Sequence, residues 1–85
     1  MITREAIETA YCLFHQKERV YSHSSMEWQR DDIEYAVASY VDSMDAQLYS
    51  AIAQGQPDFL LSHPSFGTDL RQAVARLEQM LCQPG

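Results

Sequence analysis

Apolar residues recur at three- and four-residue intervals along most of the chain, the spacing that places them on one side of an α-helix. The first stretch runs from about Arg4 to Tyr21, and Thr3 stands where its hydroxyl can cap the first turn. The second runs from about Met26 to Ser43, and Ser24 and Glu27 before it have the spacing of a capping box. Both patterns predict amphipathic helices that bury one face.

Two further helical stretches follow, separated by an irregular apolar segment. The third helix is predicted from about Ala46 to Gln54, with Asp45 as its cap and Gly55 at the left-handed position that ends it. The last begins between Pro64 and Phe66 and runs to about Leu81. Between them, Phe59 to Leu61 is an apolar run that we expect to pack down on the core.

No pattern competes with these helices. Strict alternation of apolar and polar residues is absent, and so is an Asn-Gly or Asp-Gly hairpin turn. The chain has 85 residues, enough for one domain. We therefore predict an all-α fold, a compact antiparallel helical bundle of three longer helices plus one short helix, with residues 1–85 as a single domain.

The second helix carries two distinct surfaces. Its apolar stripe predicts a core face made of Met26, Ile33, Val37, Tyr40 and Met44. Carboxylates occupy the opposite side, which is most often simply a solvated surface. The alternative is that this side of the helix binds a partner. The candidate partner-binding residues are Trp28, Tyr35, Glu27, Asp31, Asp32 and Glu34.

Trp28 and Tyr35 are seven residues apart and therefore lie on one side of this helix, away from its core face. Tryptophan is usually well buried, which favours an arrangement in which the segment from Phe59 to Leu61, or the wide apolar face of the first helix, covers both rings. The alternative is that both rings are exposed and serve as anchors for a partner protein or for a second copy of the chain.

Charge narrows the class of partner. The net charge is −6, and residues 25–45 contain six acids and one arginine. Nucleic acids and anionic membranes attract clustered lysine and arginine, so we expect neither as a partner. A protein with a basic surface is the natural complement, and a homodimer remains open.

Candidate chemistry is sparse. Cys12 and His15 lie three residues apart with Glu8 on the same helix face, and these are zinc-ligand types, but a closed site needs further ligands. There is no glycine-rich phosphate loop, and we expect no cofactor. Without a recognisable targeting segment, we expect a cytoplasmic protein with free Cys12 and Cys82 thiols.

The sequence thus predicts a small acidic, non-enzymatic protein-interaction or regulatory module. Two alternatives stay open. One is a metal-binding or enzymatic protein that uses Cys12 and His15, and the other is a self-associating structural protein.

Overall fold

The computed structural model describes residues 2–82, and over that range the chain forms four α-helices and no β-strand. α1 spans Arg4–His23, α2 spans Glu27–Ser43, α3 spans Ala46–Ala53 and α4 spans Phe66–Cys82. The predicted all-α bundle of three longer helices and one short helix is confirmed, with ends within one or two residues of those expected. None of the helices is both long enough and apolar enough to cross a membrane.

α1 is the central helix, with α2 and α4 running antiparallel to it. Tyr21, near the end of α1, packs edge-on against Phe66 at the start of α4, with ring centroids 5.1 Å apart. The guanidinium of Arg30, near the start of α2, lies 5.2 Å from the centre of the same Tyr21 ring. Further along, Phe14 of α1 meets Tyr40 of α2 edge-on at 5.4 Å. Aromatic contacts therefore fix the register of α2 and α4 against α1.

The core draws on every helix, and α1 and α2 contribute two buried residues each. Only Ile33 and Val37 of the 17 residues of α2 are buried. Met26, which we predicted to face the core, is 52% exposed. It is the extended residue just before the first helical turn, so it does not follow the helical stripe. The buried apolar residues are Ala10, Phe14, Ile33, Val37, Leu48, Ile52, Ala53, Phe59, Leu60, Phe66, Leu70, Ala73 and Leu77.

Two of the three predicted N-terminal helix caps form. Thr3 Oγ1 accepts from the Ala6 amide at 3.1 Å, and an Asp45 carboxylate oxygen accepts from the amides of Gln47 and Leu48. The capping box predicted for α2 is wrong, and the first turn of this helix has no side-chain cap. Ser24 turns inward instead, and its hydroxyl hydrogen-bonds the Gln29 side chain at 2.7 Å.

Residues 54–65, which we call the 54–65 segment, connect α3 to α4 through irregular turns. Phe59 and Leu60 are buried as predicted, whereas Leu61 is 53% exposed. The expectation for Leu61 was wrong because side chains in an irregular turn point in different directions, even when they are consecutive. The residues with left-handed φ are Gln54, Gly55, Asp58 and Leu60. The cap that ends α3 is Gln54, one residue before the predicted Gly55.

A buried carboxylate holds this segment in place. Asp69 in the first turn of α4 is only 2% exposed. It accepts hydrogen bonds from Gln56 Nε2 at 2.9 Å, from the Leu60 amide at 3.0 Å and from Ser65 Oγ at 3.1 Å. No local pattern in the sequence singles out Asp69. Its three hydrogen bonds explain how a carboxylate can be buried here.

Candidate functional site

The most distinctive surface is the outer side of α2. Trp28 is 66% exposed and Tyr35 is 75% exposed. The expected covering of these rings by residues 59–61 is wrong: Phe59 packs instead against Tyr49 of α3 and lies under the Arg76 guanidinium of α4. The 54–65 segment is thus anchored on α3 and α4, where α4 supplies Asp69 as well.

Helical geometry places carboxylates between and beside the two rings. Asp31 and Asp32 lie three and four residues after Trp28 and the same distances before Tyr35, so all four side chains neighbour each other on one side. All are exposed. We call this surface the outer face of α2, and it comprises Glu27, Trp28, Asp31, Asp32, Tyr35 and Asp42.

The arginine of α2 forms its contacts away from this face. Arg30 Nε donates to the carbonyl oxygen of Ser24 at 3.1 Å, and its guanidinium stacks over Tyr21. In the part of the chain that the structure describes, ion pairs involve three other acids: Glu8, Glu18 and Glu34. The four carboxylates of the outer face of α2 therefore belong to none of the ion pairs found within residues 2–82, and all four are exposed to solvent.

Glu34, predicted as a member of the same stripe, lies beside Asp31 but is less exposed and is paired with a histidine. Its side chain is 17% exposed, and both of its carboxylate oxygens are 2.9 Å from Nδ1 of His63 in the 54–65 segment. The hydrogen bond with Glu34 raises the pKa of His63, and the charges of Glu34, Asp31 and Glu27 act in the same direction. No local pattern in the sequence links His63 to Glu34, because the two residues are far apart in the chain.

Tyr21 lies where α1, α2 and α4 meet, in contact with Arg30 and Phe66. Burial raises the pKa of Tyr21, and the negative charge of Glu34 raises it further. A β-carbon added at Gly67 would come within 3.2 Å of the Tyr21 ring, so this helical glycine leaves room for the ring to approach α4.

The alternative centre at Cys12 and His15 gains no further ligand. Cys12 and Cys82 are exposed free thiols. The imidazole of His15 stacks on Tyr11 at 5.4 Å, and Glu8 pairs with Arg4. Within residues 2–82, neither Cys12 nor His15 belongs to a cluster of three metal-ligand side chains.

Concave surfaces lie elsewhere on the molecule. An open groove of about 430 Å³ at the α1–α2 corner is lined partly by Arg19, Val20 and His23. A smaller one of about 280 Å³ lies beside Thr3 and Tyr40. Neither groove is lined by Trp28 or Tyr35.

Comparisons of the chain with protein-family models, with curated proteins and with solved structures gave no match.

Proposed function

We propose that this protein is a non-enzymatic interaction module that binds a protein with a basic surface through the outer face of α2. The observation that carries this proposal is the exposure of Trp28 and Tyr35 in the middle of unpaired carboxylates. Large exposed aromatic rings on one side of a helix are typical of partner surfaces rather than of free solvated helices.

The two kinds of residue have different roles in this proposal. Trp28 and Tyr35 supply apolar area that becomes buried on association, and such rings are common anchors in interfaces. The surrounding acids, such as Asp31 and Asp32, attract a basic partner and orient the encounter. Peripheral charges of this kind raise the association rate more than they add to affinity, and salt screens their effect.

Charge also favours a different protein over a second copy as the partner. A symmetric dimer through this face would place the acids of one α2 against the acids of the other. Like charges brought together in an interface cost several kcal/mol. The only arginine of α2, Arg30, is turned toward Ser24 and Tyr21 and is not positioned to offset that repulsion.

A random peptide library displayed on phage and selected on the immobilised protein tests the proposal with a defined probe. We expect the enriched peptides to be rich in lysine and arginine and to include apolar residues. Binding of a synthetic enriched peptide should weaken at high salt and should be lost in the Trp28→Ala/Tyr35→Ala double variant.

Val20→Ala is the matched control, because Val20 is also an exposed apolar residue, at 52%, but lies on α1. It should bind the peptide as the unmodified protein does. Neutral or acidic enriched peptides would contradict the proposal, as would equal binding by the double variant. Dimerisation that Trp28→Ala abolishes would assign the face to self-association instead.

A further inference from the structure

We propose that Asp31, Glu34 and His63 form a binding site for a divalent first-row transition-metal ion, represented by Zn²⁺, that joins α2 to the 54–65 segment. One ligand atom from each of the three residues lies within 4.8 Å of the others. This site does not depend on the protein partner proposed above, because the ion is tested with the purified chain alone.

The fold brings these three donors together from separate elements. Asp31 and Glu34 are three residues apart on α2, so successive turns present both carboxylates on the same side. His63 comes from the 54–65 segment, and its Nδ1 already points at Glu34. Asp69 fixes the neighbouring backbone through the Leu60 amide, which limits how far His63 can move.

The donor chemistry selects the class of ion. Carboxylate oxygens bind many divalent ions, whereas an imidazole nitrogen favours Zn²⁺ and similar transition metals over Ca²⁺ or Mg²⁺. Bonds of about 2.0–2.2 Å in a tetrahedron place ligand atoms about 3.4 Å apart. Side-chain rotation within the 4.8 Å cluster can reach that spacing, with Glu34 turning from His63 toward the shared ion. Three protein ligands leave the fourth position to water.

Isothermal titration with ZnCl₂ near neutral pH tests the site, with Cys12→Ser and Cys82→Ser in every sample to remove the two exposed thiols. We expect one ion per chain. His63→Ala and Asp31→Asn should each weaken binding by more than about tenfold, since even losing an outer partner of a metal ligand costs about 10–100-fold.

Asp32→Asn and His15→Ala are the matched controls. The first removes the same charge from the adjacent position, and the second removes a histidine from another helix. Both should keep the parent affinity, and Ca²⁺ should bind more weakly than Zn²⁺. The proposal is overturned if no Zn²⁺ binds, if His63→Ala binds as tightly as the parent, or if Asp32→Asn weakens binding as much as Asp31→Asn.

The fluorescence of Trp28 provides a second measurement, which reports where the ion binds. Trp28 is the only tryptophan and lies one helical turn from Asp31. Co²⁺ absorbs in the visible and near-ultraviolet range and quenches nearby tryptophan, so we expect saturable quenching in the parent. Quenching that persists unchanged in His63→Ala would place the ion elsewhere and contradict the site.

Discussion

At the scale of single residues, the side chains of Asp69 and His63 connect the 54–65 segment to the helices through contacts between residues that are distant in the sequence. Asp69 does so from inside, where three hydrogen bonds satisfy its buried carboxylate. His63 does so at the surface through Glu34. The buried contact matters more for stability. A buried polar group that loses its partner cannot bond to water instead, whereas an exposed group can.

Asp69→Ala should destabilise the protein by at least about 1–3 kcal/mol, because it leaves buried donors, the Leu60 amide among them, without an acceptor. Glu78→Ala is the control, since it removes an exposed acid from the same helix and should change stability by less than about 0.5 kcal/mol. Urea denaturation of both variants measures the difference. Equal midpoints would show that Asp69 does not hold the segment.

The His63–Glu34 pair predicts a pH dependence in the presence of a chelator. The pKa of His63 is raised above 6.5, so the folded state binds the proton more tightly than the unfolded state does. Its stabilisation is therefore complete below pH 6.5 and is lost as pH rises through the raised pKa. Titration of the His63 ring by NMR should give a lower pKa in Glu34→Gln. An unchanged pKa would contradict the contact.

At the scale of elements, α2 is held by a small part of its surface. Ile33 and Val37 are its buried residues, Tyr40 and Arg30 contact aromatic rings of α1, and Glu34 pairs with His63. A helix with so few buried positions leaves most of its circumference to solvent. That exposed circumference is what makes the outer face of α2 available to a partner.

Truncating the core should cost about 2–5 kcal/mol at each of Phe14→Ala, Ile33→Ala and Leu70→Ala, because each side chain is buried in the common core. Val20→Ala, on the exposed side of α1, should leave the thermal midpoint almost unchanged. Calorimetry of the four variants tests these assignments. A core variant that melts with the unmodified protein would show that its helix face is assigned wrongly.

Periodicity was sufficient to predict the helices, because each buried stripe is a local pattern of three- and four-residue steps. The caps Thr3 and Asp45 could also be predicted, because their side chains bond to amides within three residues. Periodicity failed where long-range packing decides, as for Leu61 and for the exposure of Trp28. The His63–Glu34 contact spans 29 residues, and nothing in either local sequence indicates the other.

At the scale of the whole molecule, charge and exposed apolar area coincide on one side. The net charge is −6, and the outer face of α2 carries four unpaired carboxylates around Trp28 and Tyr35. Trp28→Ala should therefore lower stability by no more than about 1 kcal/mol, as is usual for a substitution at the surface. The thermal midpoint of this variant tests whether Trp28 has a binding role or a structural one, because a structural role would lower the midpoint strongly.

The most direct test of the proposed docking surface is an NMR titration of the ¹⁵N-labelled protein with an enriched basic peptide. We predict that the perturbed signals cluster on the outer face of α2, with the Trp28 indole N–H among the largest. Perturbations centred on Arg19 and His23 at the α1–α2 groove, or on α4, would contradict the account.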